Sequence, residues 1–99
     1  MRRWAAAVTV STLQGAVLFH DGQFEGRRVR LPVFLRRGPK EPTDRNLQEF
    51  YTKLLRTLRR DDFRGGQWQL CERTGWPDNH SYANLVAWCW THEETGHLI

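Results

Sequence analysis

Six large apolar residues, Leu47, Phe50, Tyr51, Leu54, Leu55 and Leu58, recur at i, i+3, i+4, i+7, i+8 and i+11. This spacing keeps returning to one side of an α-helix, so it predicts an amphipathic helix over residues 45–60. Asp44 is placed to cap its start, and Arg56, Arg59 and Arg60 stand at its end, where the helix dipole favours cations. Glu49 and Lys53 form a favourable i,i+4 pair. A stripe of this width has to lie on something, so the question becomes what cover the other segments offer.

The 99 residues suffice for one small domain, with 39% of them hydrophobic and a mean hydropathy of −0.67. Five Trp, five Phe and two Tyr supply large buried areas per residue, which is globular composition and not disorder. The formal charge of +4 is unevenly spread. Residues 27–60 hold eleven Lys/Arg against Glu41, Asp44 and Glu49, whereas residues 61–99 hold two basic residues against six acids. A basic middle and an acidic end predict two structural units. Cys71 and Cys89 lie too far apart in sequence for a CxxC motif and are expected as free thiols in a reducing, cytoplasmic setting. No stretch reaches the length of a membrane span, so no membrane partner is expected. Arg2-Arg3 before Trp4-Ala5-Ala6-Ala7-Val8 imitates a signal peptide, but Thr9, Ser11, Thr12 and Gln14 interrupt the apolar run.

Residues 2–13 read as a helix closed by Gly15, and Ala16-Val17-Leu18-Phe19 as a short strand buried on both faces. Residues 20–43 form a long polar connection punctuated by Asp21-Gly22, Gly26, Pro32, Gly38-Pro39 and Pro42. Val29, Leu31, Val33 and Leu35 alternate within it, although Pro32 demotes any strand there to an edge. After Gly65-Gly66 the pattern turns to strands, one at Trp68–Leu70 and another at Leu85–Trp90. A third is expected to start at His97-Leu98-Ile99. Neither unit is complete by this reading, which expects a fragment divided at residues 1–62 and 63–99.

The run Gly15-Ala16-Val17-Leu18-Phe19-His20-Asp21-Gly22-Gln23-Phe24-Glu25-Gly26-Arg27-Arg28-Val29-Arg30-Leu31-Pro32-Val33 resembles the last barrel strand and following loop of α-amylase family glycoside hydrolases. Glu41-Pro42-Thr43-Asp44 with Phe50-Tyr51 and Lys53-Leu54-Leu55 is similar to that family's eighth barrel helix. Gly66-Gln67-Trp68-Gln69-Leu70 and Asn84-Leu85-Val86-Ala87-Trp88 resemble the first strands of the β-sandwich domain that follows. The chain departs from the wider family's last-strand pattern, Gly-x-Pro-x-Ile-Tyr-Tyr-Gly-Glu-Glu, at Val17, His20, Gln23 and Phe24. The resemblance implies an α/β fragment: the last βα unit of a TIM-type (β/α)8 barrel, then the first strands of an antiparallel β-sandwich domain. It also implies a retaining enzyme acting on α-glucosidic bonds, with an α-glucan or oligosaccharide as the parent's substrate and no cofactor.

Barrel active sites sit at the C-terminal ends of the strands, so His20, Asp21 and Gln23 are the candidate substrate-binding residues. Asp21-Gly22 equally serves as a plain turn, with His20 packed in the loop. A retaining glycosidase needs two carboxyl groups roughly 5 Å apart. The family's nucleophile, acid and supporting aspartate come from earlier strands, so no catalytic residue is assigned here. Two other functions fit parts of the sequence. The basic segment suggests a nucleic-acid-binding module, but Phe50 and Tyr51 lie on the apolar stripe and the late Trp residues stand in the acidic part. Trp88 and Trp90 on one strand face suggest a non-catalytic carbohydrate-binding domain, although packing between sheets gives the same spacing. His80, His92, His97, Cys71 and Cys89 show no short ligand spacing, so no metal site is assigned.

Overall fold

The computed structural model describes residues 2–30, 32 and 34–99. Among them are three α-helices and a three-stranded sheet: α1 (Arg2–Thr12), α2 (Arg45–Leu58), a single turn α3 (Asp61–Arg64), β1 (Gln67–Leu70), β2 (Trp88–His92) and β3 (Thr95–Leu98). A 3-10 turn at Ser81–Asn84 interrupts the long connection between β1 and β2.

The stripe on α2 behaves as its spacing dictates. Leu47 and Tyr51 are buried, and Phe50, Leu54, Leu55 and Leu58 are half-buried. Asp44 caps the helix by accepting the Leu47 amide at 3.1 Å. The stripe lies against α1, where Ala7 completes a small core with Leu47 and Tyr51. Phe19, Phe24, Phe50 and Leu54 pack around that core. Ring packing supplies much of the contact: Phe24 and Tyr51 have centroids 4.9 Å apart, and Trp4 stacks on Phe50 at 5.1 Å. Offset and tilted aromatic pairs of this kind add to plain area burial.

The sheet runs in the order β1-β2-β3 and is antiparallel throughout. Trp68 faces Trp90 across β1 and β2, and Trp90 faces His97 across β2 and β3, so the three share one face. Phe63 of α3 covers that face, 6.1 Å from Trp90 and stacked on His97 at 4.7 Å. Glu93, at φ 51, makes the β2–β3 turn, and β3 therefore begins at Thr95, before the position the sequence suggests. Leu85 and Val86 precede β2 and are exposed, where the sequence placed them inside the strand. Arg73 donates to the carbonyls of Ala83 and Leu85, which ties this stretch into the 71–87 connection instead of the ladder.

Two tryptophans join the sheet to the helices. Trp88 Nε1 donates to Thr12 Oγ1 at 3.1 Å, and Thr12 Oγ1 itself donates to the Val8 carbonyl at 2.7 Å. The Thr12 carbonyl, one of the acceptors a helix end leaves unpaired, takes Trp90 Nε1.

Ala16–Phe19 is a correction to the sequence reading. These residues belong to no helix or strand, and Leu18 is 90% exposed. The reason is that a strand buried on both faces needs other strands beside it and layers packed over each face. The only sheet among the described residues is the antiparallel one, and it does not take the segment in. Of the alternating residues further on, Leu31 and Val33 lie outside the described residues, and Val29 and Leu35 are half exposed and belong to no strand.

Packing is sparse overall. The accessible surface is 8994 Å², against about 5,900 Å² for a compact monomer of this mass. The radius of gyration is 17.6 Å, where a compact domain of this length has about 13 Å. No helix of the described residues is long and apolar enough to cross a membrane.

Candidate functional site

The loop that leaves Ala16–Phe19 is tightly built. Gln23 N donates to the His20 carbonyl at 3.2 Å, Gly26 N to Gln23 O at 3.3 Å and Arg27 N to Gly22 O at 2.9 Å. Gly22 has φ +79, and a Cβ there would meet Arg27 Cδ at 2.7 Å. Both the left-handed backbone and the closeness of the Arg27 stem require glycine. The loop is moored to α2 through Asp44 N, which donates to Glu25 O at 3.0 Å. Further on, the Glu41 carboxylate accepts the Arg28 and Val29 amides.

Gln23 is the keystone of this arrangement. Its Oε1 accepts the His20 amide at 3.2 Å, and its Nε2 donates to Tyr51 Oη at 2.8 Å. A carboxamide offers two donors and two acceptor lone pairs, so one N–H and one lone pair stay free for a ligand. His20 Nδ1 lies 3.0 Å from the Asp21 carbonyl, a hydrogen bond when that nitrogen carries the proton. In that tautomer Nε2 is an acceptor.

His20 and Gln23 open onto a hollow of about 630 Å³ between α1, the loop and α2. Its floor is apolar, with Ala7, Phe19, Leu47 and Tyr51, and Arg3, Arg27 and Arg28 also line it. The volume is that of a small-molecule pocket. Asp21, the third candidate, is not part of the lining: its carboxylate is 95% exposed and 3.8 Å from an Arg27 nitrogen. No carboxylate lines the hollow among the described residues. The structure thus brings together two of the three candidates and adds Tyr51 and the arginines. The sequence places Tyr51 on the apolar stripe of the helix and the loop arginines in a basic segment, with no sign that they share a wall. Only the α1–α2 packing reveals their common wall.

A second polar cluster lies under the sheet. Asp62 is buried and its Oδ2 is hydrogen-bonded to His97 Nε2, with Arg60 Nε 3.4 Å from the same oxygen. The hydrogen bond from His97 holds the Asp62 carboxyl below its ordinary range, more than burial raises it. The partners stand 35 positions apart, and no local pattern marks the pair. Nearby, Cys71 and Cys89 are free and half-buried on the opposite face of the sheet. Burial, and then the neighbouring Cys89, push the Cys71 thiol up. Among the described residues no group of three or more His, Cys, Asp or Glu is placed to hold a metal ion.

The tryptophans singled out as stacking platforms are used differently. Trp88 is 6% exposed and Trp90 is half-buried, and both indole N–H groups are spent on Thr12. Trp76, on the connection between β1 and β2, is exposed. No family model matches the chain, and no curated protein or solved structure matches it either.

Proposed function

We propose that the chain forms the end of the (β/α)8 barrel and the start of the β-sandwich domain of an α-amylase-type glycoside hydrolase. In that role it binds an α-glucan or oligosaccharide and carries none of the catalytic carboxylates. The observation that carries this reading is the loop His20–Gly26. It follows the apolar segment Ala16–Phe19, and it presents His20 and Gln23, with hydrogen-bonding capacity to spare, to a hollow of about 630 Å³. Polar groups at the exit of a barrel strand are where such folds place substrate contacts. In a barrel, Ala16–Phe19 would gain the neighbours it lacks here, and the exposed Leu18 would be covered. The surplus accessible surface supports the same view. Asp21, outside the hollow, acts as a turn residue with Gly22. The two free thiols fit a reducing, cytoplasmic compartment.

The alternatives have less support. A carbohydrate-binding module built on Trp88 and Trp90 would need accessible ring faces, and Trp88 is buried. A nucleic-acid module would need aromatic platforms among its cations, yet Phe50 and Tyr51 pack inside the helical unit.

Ligand-observed saturation-transfer NMR with maltotriose tests the reading, together with peptide-resolved hydrogen exchange. Protection on residues 18–28, reduced in His20→Ala, is the expected result. Protection centred on Trp76, or oligonucleotide binding that persists at physiological salt, would overturn it in favour of one of the alternatives.

A further inference from the structure

The hollow that His20 and Gln23 share is unusual in its charge. Arg3 from α1 and Arg27 and Arg28 from the loop line it, and among the described residues no Asp or Glu does. The nearest counter-charge named for Arg27 is the Asp21 carboxylate at 3.8 Å, almost fully exposed to water. An exposed pair at that distance holds little of the arginine's charge. The Arg27 stem is fixed: its Cβ, Cγ and Cδ lie along Gly22, within about 3 Å of where a Cβ would stand, and its amide closes the loop on Gly22 O. An arginine held this way loses less freedom on binding, and its planar donors match the oxygens of a phosphate or carboxylate.

We propose that the hollow takes an anionic sugar, a glycoside bearing a phosphate or carboxylate group, rather than a neutral glucan alone. This rests on the sugar-binding reading of the loop and narrows its substrate class. The sugar ring sits in the hollow beside the half-buried Phe19, His20 and Gln23 take hydroxyls, and Arg27 and Arg28 take the anionic group. Arg27→Gln and Arg28→Gln remove the charge, and the first keeps the β, γ and δ carbons that pack on Gly22.

The test compares glucose, glucose 6-phosphate, glucuronate, maltotriose and inorganic phosphate as ligands of the whole chain, by saturation-transfer NMR and calorimetry. An anionic sugar is expected to bind about tenfold more tightly than glucose, as one charge-assisted hydrogen-bonded contact supplies. The gain should shrink with added salt and vanish in the doubly substituted Arg27→Gln, Arg28→Gln chain. The phosphate and carboxylate arms decide which anion is read. If maltotriose binds and the anionic group adds nothing, the proposal fails and the sugar reading stands. If inorganic phosphate binds as tightly as the sugar phosphate and maltotriose does not bind, both fail, because the arginines then hold an anion without its sugar. If none of the five ligands binds, both are likewise overturned.

Discussion

The indole nitrogen of Trp90 donates to the Thr12 carbonyl oxygen at 2.6 Å, across 78 positions of sequence. With Trp88 on the hydroxyl of the same residue, this makes Thr12, at 3% exposure, the residue through which the end of α1 is fastened to the sheet. Trp90→Phe removes the donor while keeping an aromatic ring in place. The expected cost is about 1 kcal/mol, the net worth of one hydrogen bond. It should show as faster hydrogen exchange in the last turn of α1, where the Leu13 amide donates to Thr9 O. Unchanged exchange there would mean that the helix end is held by packing alone.

Asp62 gives the sheet a pH dependence whose sign is fixed. Its folded pKa lies below the ordinary value because His97 hydrogen-bonds the carboxylate. Its contribution is therefore complete above the unfolded-state value, about 3.9, and is lost as pH falls through the folded value. Tryptophan fluorescence followed from pH 7 to pH 2 should report loosening of α3 from Trp90 in the acid part of that range. Asp62→Asn should abolish this step and leave the contact already weakened at pH 7. An identical acid titration in the variant would assign the step to other carboxyls.

Catalysis by the chain alone is not expected. No carboxylate lines the hollow among the described residues, and Asp21 points to solvent. Starch and nitrophenyl maltosides should stay intact over long incubation. Turnover abolished by Asp21→Asn or Glu25→Gln would show that the loop carries its own acid pair.

The exposed apolar surface predicts behaviour in solution. Leu18 at 90% exposure, with Val10, Leu13 and Val17 also exposed, should make the isolated chain bind a hydrophobic dye and melt broadly. Leu18→Gln should lower dye binding and aggregation without loss of helix content, since the side chain buries almost nothing. A sharp two-state melt in the unsubstituted chain would instead mean that its small core is sufficient.

The elements that read correctly from sequence are those set by near neighbours. The α2 stripe and its Asp44 cap depend on residues three and four apart, and both stand where the spacing puts them. Ala16–Phe19 was misread because a continuous apolar run describes a strand only when other strands flank it. Leu85 and Val86 were misread for a related reason: β2 begins where its pairing with β1 begins, and Arg73 holds the preceding residues elsewhere. The loop candidates were partly legible. Asp21-Gly22 announces a turn, yet nothing near His20 says that Gln23 will clamp Tyr51. The arginine lining and the Asp62–His97 pair arise from chain segments brought together only by folding.

The attachment at Thr12 also bears on how the chain acquires its shape during synthesis. A ribosome adds about 5–20 residues per second, so α1 emerges seconds before the two indoles that fasten its end. Eleven residues are too few to hold a helix alone in water, where about 12–15 are already marginal. Phe50 and Tyr51 of α2 emerge first and can receive Trp4 and Ala7, but until Trp88 and Trp90 leave the exit tunnel the Thr12 end of α1 lacks its partners. The C-terminal end of α1 is thus among the last parts of the chain to be secured.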